Sequence, residues 1–476
     1  MKDRHENTEG RSLASSTVRW FATGLVVTVF SLTVFSLTAF FSAFVQADDA
    51  ADRGFRFLTE TPLIPPDFDD ETFDAVWQEW PKSLRKLAEA ASPEDRRRMA
   101  FERYGLTVRP NDHSGKPLQY TIGAKGGWSM NCFTCHGGTV YGDPLPGSPN
   151  NRIALQSLIE ETFQAKLRLG KTPSRMDVGA MVIPLGTTNG TTNAVVFGMG
   201  LMDARDADLN VIMTLPKMFI HHDMDAPPWW TFHKRPYMYI DGFAEKGHRG
   251  LMQFTLVPEN GPGYYRKHEA AFKDVLAYIE SLRPPAYPKS IDATLMHQGQ
   301  QLFEEHCASC HGTYGDQGSY PSLRIALDDI GTDPVRLTAL TVAGRTKYAD
   351  SWFAHANEDQ HQQTEADPDG YVAPPLDGIW ASAPYLHNGS VPTLWHLLNP
   401  GSRPKIWRRT QVGLNEIQVG LTIESLDRLP EGISDPVIQR SVFDTSGFGK
   451  SNLGHRYPDV LNEPQKRAVL EYLKSL

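Results

Sequence analysis

Every cysteine of this 476-residue chain falls in one of two copies of the same pentapeptide. Cys132-Phe-Thr-Cys135-His136 is the first and Cys307-Ala-Ser-Cys310-His311 the second. Two thiols three positions apart with an imidazole directly after them are the attachment signature of c-type haem. The thiols form thioethers with the porphyrin vinyl groups, and the histidine takes the proximal position under the iron. The expected cofactors are therefore two covalently bound haem c groups. The remaining readings of such a motif fit poorly. A zinc site needs about four protein ligands, and these clusters lie far apart in sequence. A thioredoxin-like pair has no use for the following histidine.

The chain is long enough for two or three domains, with ordinary apolar content and many glycines and prolines. A net charge of −9 speaks against nucleic acid, which demands a basic face. Lys2, Arg4, Arg11 and Arg19 precede an uncharged run from Trp20 to Val45. That run ends in Val45-Gln46-Ala47, a small-residue cleavage pattern. Residues 1–47 therefore read as a signal peptide or a membrane anchor. The apolar run exceeds the usual ~7–15 residues of a signal and reaches the ~20 that a span requires. The cleavage pattern favours removal. Either way the bulk of the chain is expected outside the cytoplasmic membrane, periplasmic or secreted, with residues 20–45 as a membrane tether if retained.

A faint repeat organises the rest. Val275-Leu-Ala-Tyr-Ile-Glu-Ser-Leu282 recurs as Val469-Leu-Glu-Tyr-Leu-Lys-Ser-Leu476, each copy ending an amphipathic helix C-terminal to one haem motif. Arg283-Pro-Pro-Ala-Tyr-Pro288 after the first copy stops a helix and reads as a linker. The expected fold is mainly α, with an N-terminal cytochrome c-like domain over 48–288 and a C-terminal cytochrome c domain over 289–476. The first carries a large insertion with minor β. Residues 71–104 read as helical, capped by Asp70 and broken near Ser92-Pro93, and Met238 to Ile240 as a short strand. In the second domain a helix from Ala293 to His306 runs into Cys307, and Gly299 lets another helix approach, the terminal one with Tyr472 being the natural partner.

His136 and His311 are proximal ligands on the motif alone. No methionine follows Met296, so the second haem has no His/Met pair from its own domain. Its sixth ligand is expected to be one of His355, His361, His387, His396 and His455. His387, in a stretch of small, apolar and turn residues, is the choice on local pattern. For the first haem the field stays open: Met199, Met202, Met213, Met218, Met224, His221, His222, His233 and His248 all qualify.

Asn131-Cys-Phe-Thr-Cys-His-Gly-Gly138, Ala226-Pro-Pro-Trp-Trp230, Pro374-Pro-Leu-Asp-Gly-Ile-Trp380 and Ala383-Pro-Tyr-Leu-His-Asn-Gly-Ser-Val-Pro-Thr-Leu394 together resemble the di-haem cytochromes related to bacterial rubber oxygenase. That group is similar in turn to the bacterial di-haem cytochrome c peroxidases. The resemblance runs from about Tyr104 to the end. It implies His387 as distal ligand of the second haem, a reactive first haem, a second haem that relays electrons, and a tryptophan between them, Trp229 or Trp230 by position. The chain is shorter than the rubber-cleaving enzymes, which argues against polyisoprene as substrate.

Two functions compete. In one, the first haem activates peroxide or dioxygen, with His248 and Arg249 as proton donor and charge stabiliser, and the partner is a small-molecule oxidant or substrate. In the other the protein is a non-catalytic electron carrier of a respiratory or surface complex, whose partner is a redox protein. The length of the insertion favours the enzyme, since haem-wrapping alone needs far less chain.

Overall fold

A computed structural model describes residues 50–112, 114–212 and 220–476. The N-terminal signal or anchor segment, Met213 and Met218 lie outside the described residues. Residues 51–60 form a helix that the sequence reading did not anticipate. The expected helical stretch after it is divided into helices Asp70–Ala75, Lys82–Ala90 and Pro93–Tyr104, with a 3-10 turn Val76–Glu79 after the first. Its cap is Asp69, one residue earlier than expected: the Asp69 side chain accepts from the Thr72 amide, and Asp70 accepts from the Trp128 indole instead. The break is where the sequence put it. Ser92 caps the last of these helices, Pro93 opens it, and Gly105 in the left-handed region (φ 69°) ends it.

Two helix crossings organise the molecule, and they are copies of one arrangement. The terminal helix Glu463–Ser475 crosses helix Ala293–His306 at Gly299. A Cβ on Gly299 would run into the Ala468 carbonyl, so only glycine lets the backbones meet. Phe303 packs on Tyr472 beside the crossing, ring centroids 5.3 Å apart. Helix Pro262–Ser281 meets helix 51–60 in the same way: a Cβ on Gly54 would run into the Asp274 carbonyl, and Phe55 packs on Tyr278 at 5.4 Å. Asp274 and Tyr278 hold the same places in the sequence repeat as Ala468 and Tyr472.

Ala51–Leu476 forms one unit, and its cores draw on both sides of the Arg283–Pro288 linker. Phe133, Trp229, Phe272 and Tyr278 share a core with Tyr348, Trp352 and Phe353. Trp230, from the first half, packs with Phe303, Trp380 and Tyr472. A third cluster gathers Phe73, Trp80, Tyr104 and Trp128 under the N-terminal helices.

The first half carries short strands, among them Tyr120–Ile122 paired with Gly127–Met130 and Thr191–Thr192 paired with Met224–Asp225, but not the one expected at 238–240. Residues 238–240 form a turn, and only Tyr237 bridges, to Glu245. The longest strands, Ile406–Asn415 and Gly420–Leu426, pair antiparallel in the second half, with Val442–Asp444 on the other edge of Ile406–Asn415. Asn415 closes the hairpin by accepting from the amides of Ile417 and Gln418.

Candidate haem sites

Each pentapeptide closes one helical turn. The His136 amide donates to the Cys132 carbonyl at 3.2 Å, and the His311 amide to the Cys307 carbonyl at 3.0 Å. Cysteine and histidine are thereby presented from one short helix, Phe133–His136 in the first site and Ala308–His311 in the second. No disulfide joins the four cysteines.

The two imidazoles are oriented identically. His136 Nδ1 lies 3.0 Å from the Pro227 carbonyl, and His311 Nδ1 lies 2.9 Å from the Pro374 carbonyl. A carbonyl can only accept, so Nδ1 carries the proton and Nε2 is left as the free lone pair. A metal-bound histidine needs this tautomer, fixed from behind by a backbone acceptor. Desolvation lowers both histidines, His136 to about 4. Both rings are therefore neutral and ready to ligate at physiological pH.

The structure distinguishes the surroundings of the two rings. His455 stands against His311, ring centroids 6.2 Å apart. The planes of the two rings are 60° apart, and two imidazoles this close could both hold one iron. His455 is a non-glycine residue with φ 50°, a sparsely populated conformation that functional residues often hold. Its amide donates to the Ile330 carbonyl at 2.7 Å, and burial drives its imidazole down to about 3. His136 instead stacks on Trp229, centroids 4.6 Å apart and planes 24° apart.

His387, the histidine favoured from the sequence, faces Tyr371 at 4.5 Å. It is half-buried, its buried Nε2 has no hydrogen-bond partner among the described residues, and its carbonyl accepts from the Asp225 amide. No ring contact or hydrogen bond among the described residues joins it to His311. Of the other candidates, His355 and His361 bond to backbone carbonyls and meet edge to face, and His396 bonds to Thr393. Met202 is core, and Met224 sits in a two-residue strand beside Thr192.

His248 and Arg249 form a buried ion-pair network. Both approach Glu269 Oε1, at 3.1 and 2.7 Å, and Arg249 also reaches Glu358 while lying over the Trp352 ring at 4.2 Å. None of these contacts involves either haem motif. Those partners hold the two side chains in place by charge and packing.

The adjacent tryptophans part company. Trp229 belongs to the first core with His136, and the loop after His136 holds it: the Gly147 amide donates to the His136 carbonyl, and the Gly147 carbonyl accepts from the Trp229 amide. Trp230 turns into the second core, where its Nε1–H donates to the Asp377 carbonyl at 2.8 Å. Gly378 makes room for it: at φ 61°, a Cβ there would meet Trp230 Nε1 at 2.7 Å. Asp377 lies three residues after Pro374, the acceptor for His311. Lys234 pairs with the Asp377 carboxylate at 2.7 Å and lies over Tyr314, whose hydroxyl donates to the His311 carbonyl.

Comparison with known proteins agrees with the motif chemistry. A family model described as cytochrome c oxidase, cbb3-type, subunit III matches residues 294–363, which include the second pentapeptide. One described as RoxA-like, cytochrome c-like matches residues 370–408. The matched segments are those of c-type cytochromes, which implies covalently bound haem c and electron transfer for that part of the chain. Two curated relatives come from Sinorhizobium fredii (strain NBRC 101917 / NGR234). The uncharacterized protein y4iM is 31% identical over 293 residues, 53% of this chain and 64% of the relative. The uncharacterized protein y4iJ is 29% identical over 259 residues, 41% of each chain. The chain therefore spans less than two thirds of the length of either relative. Among the described residues no helix is long and apolar enough to cross a membrane.

Proposed function

We propose that this cytochrome carries two covalent haems, one on each pentapeptide, and moves electrons between them through the Trp229–Trp230 pair. The observation that carries the reading is the unbroken line of contacts between the two proximal histidines. From His136 it runs by ring stacking to Trp229 and by the peptide to Trp230. The indole hydrogen bond leads to Asp377, and the short segment 374–377 leads to the Pro374 carbonyl on His311. The paired Gly54 and Gly299 crossings support two cytochrome c-like units, 48–288 and 289–476, whose cores interleave at the tryptophans.

In this reading His311 and His455, in preference to His387, would hold the iron of the second haem, and His136 would hold that of the first. A bound haem supplies one-electron chemistry at its iron, and oxygen or peroxide activation where its sixth position is open. The resemblance to the di-haem peroxidases supports the first site as the reactive one. The chain's own residues fix the imidazole tautomers, exclude water with Trp229, Phe133 and Tyr278, and hold the relay with the Lys234–Asp377 pair. Residues 1–47 direct the chain out of the cytoplasm.

Paramagnetic resonance of the oxidised protein, with carbon monoxide added after reduction, tests the division of labour. The reading predicts one low-spin and one high-spin iron, the latter binding carbon monoxide. Two low-spin irons and no carbon monoxide binding would leave an electron carrier and remove the peroxide or dioxygen chemistry.

A further inference from the structure

Arg336 and Arg345 are both buried, at 1% and 3% exposure, and share one carboxylate. Asp241 Oδ2 accepts from Arg336 at 3.1 Å and from Arg345 at 2.9 Å. Arg345 spends further donors on the Leu337 and Leu340 carbonyls. Arg336 has no such carbonyls: its Nε and Nη2 are buried with no partner among the described residues. The nearby Asp333 carboxylate is taken by the amides of Val335 and Ser451. A buried guanidinium with unused donors is costly unless an anion meets it, and a planar fork suits a carboxylate.

Arg336 lies over the Tyr239 ring, 5.9 Å from its centroid. Tyr239 also lines a cavity with Arg235, Tyr237, Tyr320, Ser322 and Pro374. Arg235 is about nine-tenths buried there and donates to the Met238 carbonyl at 3.3 Å, and the Ser322 hydroxyl lies beside Tyr320. Pro374 is the residue that orients His311. Arg336 falls inside the matched cytochrome segment 294–363.

We propose that Arg336, with Arg235 across Tyr239 from it, receives the propionate carboxylates of the second haem, an inference that rests on the two-haem reading. Arg345 acts through Asp241 and is a positioning residue. A cation beside the haem edge favours the reduced iron, which carries one positive charge less, and holds the propionate ionised.

The test uses the full-length holoprotein. Haem content comes first, because a wild type with one haem per chain fails the two-haem reading itself. Redox titration and resonance Raman spectra are then recorded for R336Q, R336K and R235Q across pH 5–9. The proposal expects a lowered midpoint potential of one haem in R336Q and R235Q, a new pH dependence near neutrality, and a shifted propionate mode. R336K should recover the potential while its propionate mode stays shifted, because it returns the charge without the fork. If R336Q does not fold, R336K and R235Q carry the test. Potentials, pH profiles and propionate modes all unchanged in variants that retain haem would overturn it. So would a wild-type potential that responds to added acetate after dialysis, since the site would then serve a diffusible carboxylate.

Discussion

The indole of Trp230 donates to the backbone carbonyl of Asp377 at 2.8 Å, and that bond joins the half of the chain that backs His136 to the segment that backs His311. Trp230→Phe keeps an aromatic side chain, trims the buried indole and removes the donor. We expect electron exchange between the haems to slow by about an order of magnitude, with optical spectra unchanged, measured by flash photolysis of a half-reduced sample. The cost in stability should be modest, about 1–3 kcal/mol for an unpaired buried carbonyl. Unaltered exchange in a folded variant would show that electrons take another route.

Ligand assignment separates two histidines. His455→Ala should convert the low-spin signal of the second haem to high-spin. His387→Ala should leave the spin state alone, since His387 packs on Tyr371 and not on His311. The reverse pattern, read in the optical and paramagnetic-resonance spectra, would return the ligand role to His387.

Gly299 and Gly54 are required by backbone approach. Alanine at either position forces two helices apart, and overpacking of this kind costs about 1–3 kcal/mol. We expect each variant to lower the denaturant midpoint, with the two losses adding because the crossings lie in different cores. A midpoint equal to that of the wild type would mean that the helices re-pack freely.

Asp67 supplies a pH dependence. Burial pushes its carboxyl up to about 7, against the pull of Lys166, and its Oδ2 has no partner among the described residues. Below about pH 4 the group is protonated in both folded and unfolded chains. Between pH 4 and 7 the unfolded chain releases the proton while the native state keeps it, so the native state loses ground as pH rises. Asp67→Asn removes that loss. Its advantage should be near zero at pH 4 and grow to at most about 4 kcal/mol above pH 7, seen as diverging melting temperatures. Parallel melting curves for the two proteins across that range would contradict the account.

The two haem motifs, the terminal helix, its partner and the role of Gly299 could be read from residue type and spacing, because each is a local signal repeated in sequence. Helix 51–60 was missed because its haem motif lies far downstream, and only the fold restores the adjacency that Ala293–His306 has in sequence. His455 was one histidine among five. What singles it out is a strained backbone after Gly454 and a ring opposite His311, neither of which spacing encodes. In sequence the small and turn residues around His387 favour it; in the fold Asn388 ties its loop to the Gly449 and Ser451 carbonyls, and the proposed reading prefers His455. The hairpin from Ile406 was overlooked because Arg408 and Arg409 break the apolar alternation that marks a strand.

Intact mass spectrometry of the purified, denatured protein tests the central claim most directly. Two haems, each held by a cysteine pair, predict a mass above that of the polypeptide by two haem equivalents, resistant to acidified organic solvent. A gain of one haem, or none, would contradict it.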